Sequence, residues 1–308
     1  MAYFLRRHKK KKIRIARTRD LAVLFLFAEQ QGYFADAGLD IEYVDAPYGR
    51  LAMEFMVEGK ADMGVFAEFV LSYLGFYNPK NPMKVIASVE QRKPDNIIMR
   101  WKDGVPSDLL GKRVGFAPRT TSHSFLFLFM RQHGIDKRRV KLKDMSPQAM
   151  PDAFVRGDID AMSLWQPHAY NTMRAMEELG LPYTHFKNSG LYKSEVVLAA
   201  SKQLIATNRH AMEQILICLK QAEGYAVANP EAFRKALMGK MHITDKAINV
   251  FEDFDPGLRP ISPDLLHNLD TLAEMIIETD TQYHDAIKPD YTDYYDNSIY
   301  LDIMEKFY

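Results

Sequence analysis

Two pairs of matching segments, each pair about 100 residues apart, constrain the fold of this chain more than any other feature. Residues 25–32 read FLFAEQQG and residues 127–134 read FLFMRQHG, an offset of 102. Residues 57–62 read VEGKAD and residues 155–160 read VRGDID, an offset of 98. A solenoid repeat takes roughly 20–50 residues, so this period is too long for one. The shared order and the similar offsets predict two copies of one α/β unit.

Strand and helix signals follow the same order in both copies. The strands are predicted at residues 12–17, 39–45, 61–66, 112–117, 140–145 and 159–165. The helices between them are predicted at residues 20–37, 48–58, 122–133 and 147–156. The FLFLF run at 125–129 could also form a strand, but its match to the first-copy helix favours a helix. This alternation is typical of an α/β fold with mostly parallel sheets that helices cover on both faces.

The rest of the chain indicates how the two copies are joined. Strand signals at 84–90, 96–101 and 195–201 would carry the chain between two lobes, and the last third is mainly helical. Helices that follow two α/β lobes pack most economically back onto the first lobe. We therefore predict a discontinuous lobe one, residues 1–97 and 202–308, with lobe two, residues 98–201, inserted into it.

Composition argues against several classes of protein. The 308 residues are 47% apolar and 26% charged, which excludes a disordered chain and is enough for two domains. Lys+Arg and Asp+Glu number 40 each, and this zero net charge argues against a general nucleic-acid binder. No stretch approaches the roughly 18 uncharged apolar residues of a membrane-spanning helix.

Cysteine and histidine usage gives no sign of disulfide, thiol or metal chemistry. Cys218, the single cysteine, lies in the apolar run ILICL, which predicts a core thiol rather than a nucleophile. The nine histidines show no metal-ligand spacing, so neither a metal nor a cofactor is expected. GxGxxG, Walker A, HExxH and GxSxG motifs are absent from the sequence, so no catalytic residue is assigned.

Near the start of the chain, residues 6–12, RRHKKKK, resemble the charged leader of a signal peptide, but no apolar segment follows before the first predicted strand. We expect a periplasmic or cell-surface protein if an export signal has been removed or replaced. Otherwise we expect a cytoplasmic protein.

Candidate ligand residues follow from the positions of the strand ends. In open α/β sheets, ligands bind beyond the carboxyl ends of strands, where helix N-termini favour an anion. Four segments follow the predicted strands at 12–17, 61–66, 112–117 and 159–165, and Glu195 opens a strand that crosses between lobes. Besides Glu195, the candidates are Arg17, Arg19, Ala67, Glu68, Arg119, Thr120, Thr121, Ser122, His123, Trp165, Gln166, Pro167 and His168.

The helix start at Thr120, Thr121 and Ser122 is the best candidate for an anion cradle. Its hydroxyl groups and backbone N–H groups can donate together, although helix capping alone would also select such residues. Glu68 could hold an ammonium or hydroxyl group of the ligand, or complement the helix dipole. Trp165 could form an aromatic wall or pack in the core.

The charged candidates and the proline also have structural interpretations. Arg17 could bind an anion, or pair with Asp20 or Glu68. Arg119 could add positive charge to the cradle, or lie exposed in a loop. Pro167, at a predicted helix start, is mainly a structural residue.

Several stretches of the sequence resemble one known family. They are KIRIA, EQQGYFADAGLDIEYVD and GKADMGV in the first copy, LLGKRVGFAPRTTSHSFLFLFMRQHGI and FVRGDIDAMSLWQPHA in the second, and ISPDLLHNLDTLAEMIIETD near the end. Over about residues 12–305 the chain resembles the substrate-binding proteins of the sulfonate, nitrate and taurine group of ABC importers. The resemblance implies a two-lobed type II periplasmic-binding fold that closes on a small anion by hinge motion.

By family position, the resemblance implies that residues 120–122 donate to the anionic group. It implies that Ala67 and Glu68 form the wall of the first lobe and that residues 165–167 form the rim of the second. Enzymes of pyrimidine synthesis share the fold but carry a cysteine-rich motif, which a chain with one cysteine lacks. Menaquinone-pathway enzymes also share it, and their early Asn-Ser motif is not visible after the first strand.

We therefore predict the solute-binding component of an ABC importer, a monomer that captures a small anionic or zwitterionic solute and delivers it to a membrane permease. Its solute would be sulfonate-, nitrate- or pyrimidine-like, bound in a cleft between the lobes. Two alternatives stay open: a cytosolic enzyme of menaquinone- or pyrimidine-pathway type on the same fold, and a module that senses a ligand and signals to another protein.

Overall fold

Twelve α-helices and eleven strands form the part of the chain that a computed structural model describes, namely residues 12–18, 21–78, 80–93, 95–188, 190–191, 193–241 and 254–306. The strands are β1 (Ile13–Arg17), β2 (Ile41–Asp45), β3 (Met63–Ala67), β4 (Met83–Arg92), β5 (Asp95–Met99), β6 (Arg113–Phe116), β7 (Lys141–Asp144), β8 (Ala161–Trp165), β9 (Thr184–Lys187), β10 (Ser194–Ser201) and β11 (Phe254–Arg259). The helices are α1 (Val23–Gln30), α2 (Tyr33–Asp36), α3 (Gly49–Val57), α4 (Phe69–Tyr77), α5 (Thr121–Gln132), α6 (Met150–Arg156), α7 (His168–Glu178), α8 (Lys202–Thr207), α9 (Arg209–Ala228), α10 (Pro230–Met241), α11 (Pro263–Thr279) and α12 (Ser298–Met304).

The strands form two mixed sheets. The first has the order β11-β4-β10-β3-β1-β2, and the second has the order β7-β6-β8-β5-β9. Parallel pairing joins β1 to β2 and β3 in the first sheet, and β6 to β7 and β8 in the second. The other pairs are antiparallel. The α/β class is confirmed, but the parallel part is smaller than predicted, because parallel neighbours need helical crossovers that the remaining strands lack.

The two copies inferred from the sequence have the same topology and nearly the same register. We call residues 13–67 the first repeat and residues 113–165 the second repeat. In the first, Arg14 stands opposite Glu42, and in the second, Arg113 stands opposite Lys141, so both pairs are 28 positions apart. The third strand of each repeat pairs on the other side of its first strand. The predicted duplication is thereby confirmed.

Each repeat also carries the same ion pair. The backbone N, Nε and Nη2 of Arg14 donate to the carboxylate of Asp62 at 2.8–3.0 Å. The same atoms of Arg113 donate to Asp160 at 2.7–3.0 Å. Both aspartates end the matching sequence segments VEGKAD and VRGDID, so the similarity between those segments reflects a shared contact across the sheet.

The chain passes between the sheets at two places. One crossing lies between β4 and β5, and the other lies between β9 and β10. The predicted end of lobe two at residue 201 falls beyond the second crossing, because β10 pairs with β3 and β4 in the first sheet. The division of the chain into lobes itself stays a prediction.

Apolar side chains from helices cover both faces of the first sheet. One face packs mainly against α1, α9 and α12, with a core that includes Ile15, Phe25, Val196, Met212, Ile215 and Ile299. The other face packs against α3, α4 and α11, with a core that includes Met53, Phe66, Leu71, Val85 and Leu269. The helical last third therefore returns to the first sheet, as predicted.

Local backbone requirements explain the difference between predicted and observed helices in the first repeat. A single helix was expected at 20–37, but Gly32 has φ 77° and separates α1 from α2. This left-handed conformation favours glycine, which has no Cβ to clash. The expected cap, Asp20, lies outside the described residues. In the second repeat, the FLFLF run lies within α5, which confirms the prediction of a helix there.

Within the described ranges, no helix has both the length and the apolar character needed to cross a membrane.

Candidate ligand-binding site

A cavity of about 510 Å³, partly open to solvent, lies where β3 and β8 end. Its position follows the rule for ligand sites in open α/β sheets. Residues from both repeats and from both crossings form its wall. The wall residues are Leu21, Pro47, Tyr48, Gly49, Arg50, Ala67, Val70, Arg92, Thr120, Thr121, Trp165, His168 and Ser194. The candidates that the structure brings together there are Ala67, Thr120, Thr121, Trp165 and His168.

Helices from both halves of the chain begin at the cavity. Tyr48 precedes α3, Thr120 precedes α5, and His168 is the first residue of α7. The first backbone N–H groups of a helix have no partner within the helix and carry the positive end of its dipole. The cavity therefore receives the N-terminal ends of helices from both repeats, which favours a bound anion.

The charged side chains in the cavity wall are two arginines, Arg50 and Arg92. Arg92 is only 3% exposed, and its Nη1 lies 3.3 Å from Oε1 of the buried Glu90. Arg50 donates from Nη2 to the Tyr48 hydroxyl at 2.8 Å, and its Nε lies 3.6 Å from Glu54 Oε1. No carboxylate belongs to the wall among the residues that the structure describes. The charge nearest to a solute is thus positive.

The two wall threonines bond to the protein itself. Thr121 Oγ1 donates to Oδ1 of the buried Asp95 at 2.8 Å, and Thr120 Oγ1 donates to the Ala117 carbonyl at 2.7 Å. A hydroxyl group has one proton to donate, so both protons are already engaged. An anion at this helix start would therefore be held by backbone N–H groups rather than by threonine hydroxyls. Direct contact of Thr120 and Thr121 with a ligand stays a prediction.

Ser122 and His123 follow the threonines on α5 but do not belong to the cavity wall. Ser122 Oγ donates to the Ser163 carbonyl at 2.5 Å and so ties α5 to β8. His123 Nδ1 accepts from the Arg119 N–H at 3.3 Å and lies 3.1 Å from the Tyr73 hydroxyl. Burial lowers the pKa of His123 to about 3, so the imidazole is neutral near pH 7. The structure gives both residues a packing role.

Glu68 and Glu195 are buried beside the cavity without forming its wall. Glu68 Oε2 accepts from Ser194 Oγ at 2.9 Å and from the Glu195 N–H at 2.8 Å. These bonds join the start of α4 to the start of β10. Glu195 Oε1 accepts from Gln91 Nε2 at 3.3 Å and from Ser262 Oγ at 3.4 Å. The contacts shown for these carboxylates are structural, and an ammonium-binding role for Glu68 has no support in the wall.

Two of the candidate arginines make contacts elsewhere. Arg17 Nε donates to Asp45 Oδ1 at 3.2 Å, and its guanidinium stacks 3.3 Å above the Tyr43 ring. Its ion-pair partners among the described residues are Asp45, at the end of β2, and Glu29, not Glu68. Asp20, the other partner considered from the sequence, lies outside the described residues. Arg119 Nη2 donates to Gln282 Oε1 at 2.7 Å. Neither arginine belongs to the cavity wall.

The remaining candidates are Gln166, Pro167 and Arg19. Gln166 Oε1 accepts from the Tyr170 N–H at 3.0 Å, in the first turn of α7. Pro167 immediately precedes α7 and follows a cis peptide bond. Arg19 lies outside the described residues.

Sequence reasoning missed Arg92, Ser194, Arg50 and Tyr48. The first two flank the two crossings between the sheets, and a cavity between two sheets is bordered by its crossings. Arg92 lay in the polar segment 91–95 between two predicted strands, which was a usable signal. Arg50 and Tyr48 follow β2, a strand whose carboxyl end was not included among the candidates.

Metal and thiol chemistry receive no support from the described residues. No group of three His, Cys, Asp or Glu side chains there is arranged to hold a metal ion. Cys218 is buried in α9, and its Sγ lies 3.3 Å from the Tyr33 carbonyl. Burial raises the pKa of this thiol to about 11, so it is protonated, and its core position is as predicted.

Curated relatives of the chain are named as binding proteins. Four proteins from Brucella species with such names are 23% identical over 208 residues, which is 66% of this chain. The match spans 63% of the length of those relatives. The taurine-binding periplasmic protein of Escherichia coli is 26% identical over 132 residues, 42% of this chain and 40% of that protein.

Solved structures share the fold over nearly the whole chain. The alkanesulfonate-binding protein of Xanthomonas axonopodis pv. citri, bound to MOPS, has a TM-score of 0.75 at 18% identity and covers 92% of this chain and 96% of that one. A desulfurization enzyme has a TM-score of 0.70 at 11% identity and covers 97% of this chain and 100% of that one. The predicted periplasmic-binding fold is thereby confirmed, and the same fold carries an enzyme.

The family assignment rests on more than half of the chain. Residues 22–233, which include the first repeat from α1 onward, the whole second repeat and both crossings, match the model of one family. The chain belongs to the NMT1/THI5-like family.

Proposed function

We propose that this chain is the solute-binding component of an ABC importer and that it captures a small organic anion in the cavity described above. The names of its relatives and the shared fold support a binding role. The observation that carries the choice of an anion is the charge of the wall, whose charged side chains are Arg50 and Arg92 and to which no carboxylate of the described residues belongs. Helix N-termini add to the same positive potential.

The lining of the cavity supports a solute with an apolar body. Leu21, Val70 and Trp165 provide apolar and aromatic surface in the same wall. An alkyl or aryl sulfonate combines the required charge and body, and relatives named for taurine and alkanesulfonates bind this chemical class.

The absence of a carboxylate from the described wall bears on the choice between an anion and a zwitterion. A taurine-like solute carries an ammonium group, which is best stabilised by a carboxylate when desolvated. Glu68, the candidate for this role, instead accepts from Ser194 and Glu195. We therefore infer that an amine-free sulfonate binds more tightly than its amino-substituted counterpart of equal length.

The partner and the location follow from the same proposal. Delivery to an importer requires a membrane permease, and a relative named as periplasmic supports a location outside the cytoplasmic membrane. An enzymatic or sensory role is the alternative. Conversion of a bound solute by the purified chain would favour an enzyme.

Calorimetric titration of the purified chain tests the proposed solute. Butanesulfonate, its amino counterpart of equal length 3-aminopropanesulfonate, taurine, butyrate, nitrate and phosphate form the panel, and butanesulfonate is expected to bind best. Arg50→Gln should weaken butanesulfonate binding by about 10- to 100-fold, the usual effect of losing a charge-assisted hydrogen bond. Arg156→Gln is the matched control, because Arg156 is exposed and pairs with Asp158 outside the cavity.

Two results would contradict the proposal. One is the absence of binding across the panel. The other is equal loss of affinity in Arg50→Gln and Arg156→Gln, which would place the anion outside this cavity. A thermal-shift measurement supports the titration, since a ligand at about 100 times its Kd stabilises the folded state by about 2.7 kcal/mol.

A further inference from the structure

The charges of the molecule are segregated along the chain although they cancel in total. Residues 95–193, which contain the second sheet, carry 15 Lys+Arg and 10 Asp+Glu. Residues 194–308 carry 10 Lys+Arg and 19 Asp+Glu. A charge separation of this size gives the protein an electric dipole, which orients it near a charged surface.

The exposed positive charge gathers at one end of the second sheet. We use the name basic tip for the side chains of Trp101, Lys102, Val105, Lys112, Arg139 and Lys141. Lys112 immediately precedes β6, and Lys141 begins β7. Backbone bonds hold the segments together, from Lys141 N–H to the Lys112 carbonyl at 2.9 Å and from Gly111 N–H to the Arg139 carbonyl at 2.7 Å. This end is opposite to the cavity, which lies at the carboxyl ends of the parallel strands.

The cations of the basic tip are available to a partner. Lys102, Arg139 and Lys141 are exposed, and within the part of the chain that the structure describes no carboxylate forms an ion pair with them. Nearby aspartates have other partners, since Asp160 binds Arg113 and Asp108 accepts from Trp101 and Val105. Asp103 is exposed at the tip, and Asp108 accepts only from neutral N–H groups in the bonds shown, so these two aspartates reduce the charge of the tip by two.

Apolar and aromatic groups accompany these cations. Val105 is 51% exposed, and the Lys112 ammonium lies 5.5 Å from the centre of the partly exposed Trp101 ring. Tryptophan, together with lysine and arginine, is typical of surfaces that contact the headgroup region of a bilayer. An acidic protein partner would need the cations but would not account for the exposed valine and tryptophan beside them.

Protection of a sheet edge explains only part of the basic tip. A lysine on an edge strand prevents pairing with another chain, and β7 is an edge strand. Lys102, Lys112 and Arg139 lie outside β7, so edge protection does not require them. The first repeat offers an internal comparison, because the positions equivalent to Arg139 and Lys141 hold Asp40 and Glu42. The duplicated fold itself therefore does not demand basic residues here.

We propose that the basic tip docks on an anionic membrane surface. Lys102, Lys112, Arg139 and Lys141 face the headgroups, Trp101 and Val105 enter the interface, and the cavity at the opposite end of the strands stays accessible. The binding is electrostatic and reversible, so it weakens as salt screens the cations. This docking does not depend on which solute the cavity holds.

Co-sedimentation of the full chain with lipid vesicles tests the docking. Vesicles of phosphatidylcholine alone are compared with vesicles that contain about 30% phosphatidylglycerol, at about 50 mM and 300 mM NaCl. We expect binding to the anionic vesicles at low salt and its loss at high salt. The triple variant K112Q/R139Q/K141Q should bind on the order of 100-fold more weakly, from the loss of three basic residues at the surface.

The matched control changes the same number of positive charges elsewhere. K60Q/K235Q/K306Q removes three exposed cations outside the basic tip and leaves the first twelve residues as they are. Val105→Ser, which keeps every charge, should weaken binding by a few-fold. Equal far-ultraviolet circular dichroism and equal Tm confirm that the variants fold. The proposal is overturned if anionic vesicles do not bind the chain at low salt, or if the control triple loses as much binding as the tip triple. In the first case an acidic protein becomes the better partner.

Discussion

The two repeats share their framework and differ at their ends. Both pair their first and second strands 28 positions apart, and both fix the first strand to the third with an arginine–aspartate pair. They differ where the chain leaves the strands. Between the first strand and the matching FLF segment, the second repeat has three residues more than the first, and its α5 begins at Thr121, which lines the cavity. The two repeats thus keep the same strand register and ion pair, whereas the segments that follow their strands differ and line the cavity.

The charge at the sheet edges diverged as well. Asp40 and Glu42 in the first repeat stand where Arg139 and Lys141 stand in the second. All four side chains are exposed, so the framework tolerates either sign. Differences between the repeats thus point to function more directly than the similarities do.

The largest expected effect compares two equivalent core phenylalanines. Phe25 is fully buried against Phe34, whereas its counterpart Phe127 is 8% exposed beside a groove between α5 and α11. Phe25→Ala should lower the free energy of unfolding by about 4–5 kcal/mol and Phe127→Ala by about 3 kcal/mol, because the exposed edge of the second ring leaves a smaller dry cavity. Urea unfolding, with an unchanged m-value, measures the loss of stability in both variants. A larger loss of stability for Phe127→Ala than for Phe25→Ala would contradict the expectation that the more deeply buried ring contributes more.

A second prediction concerns His123, which lies in the first turn of α5. Burial lowers its pKa to about 3, while an unfolded histidine titrates near 6.5. The unfolded state therefore binds more protons as pH falls from about 6.5 toward 3, and the folded state loses stability over this window. Between pH 7 and pH 4, protonation of this group in the unfolded state should lower the free energy of unfolding by about 2–4 kcal/mol.

The variant His123→Gln tests this assignment. The glutamine keeps an acceptor for the Arg119 N–H but cannot titrate. The stability of the variant should therefore fall less than that of the wild type over the same pH range, by the amount assigned to His123. His267→Gln is the matched control, because it makes the same substitution at an exposed position on α11. Urea unfolding at several pH values provides the measurement, and an unchanged slope for His123→Gln would contradict the assignment.

The smallest expected effect compares the duplicated ion pairs. Asp62→Asn and Asp160→Asn should each cost about 1 kcal/mol near pH 7, a modest value because the side chains are 21% and 28% exposed. Hydrogen bonds from Arg113 hold the pKa of Asp160 below its usual value. Its contribution is thus present above the unfolded pKa of about 3.9 and is lost as pH falls through the folded pKa. Urea unfolding should show a smaller difference in the free energy of unfolding between wild type and Asp160→Asn near pH 2 than near pH 7. Unequal costs for the two aspartates would mean that the repeats do not share this contact energetically.

Much of the fold could be predicted because its determinants are local and periodic. Alternating strands, helix-ending glycines and the internal matches located the elements of both repeats within a few residues. Gly32 was the main local exception, since it divides a helix without interrupting the apolar pattern. The position of β10 was harder, because its neighbours β3 and β4 are more than 100 residues away in the sequence and no local signal selects them.

The candidate site could be predicted by region but not by side chain. Strand ends identified Ala67, Thr121 and Trp165, which line the cavity. Ser122 and His123 lie one and two positions along the same helix but are rotated into the core, and periodicity cannot give that rotation without knowing the neighbouring strand. Arg92 reaches the cavity because two sheets meet beside it, which is a property of the tertiary structure.

The place of β10 in the first sheet has a consequence for synthesis on the ribosome. This strand separates β3 from β4, yet it is made after every strand of the second sheet. When residue 92 emerges, the nascent first sheet still has a gap at its centre, with Glu68 awaiting Ser194 and Glu195. The later-made sheet is contiguous in sequence and can complete itself before the earlier one does. The second sheet can therefore be complete before the first, and a pause after residue 187 has emerged from the ribosome but before residue 194 emerges would leave a finished second sheet attached to an incomplete first one.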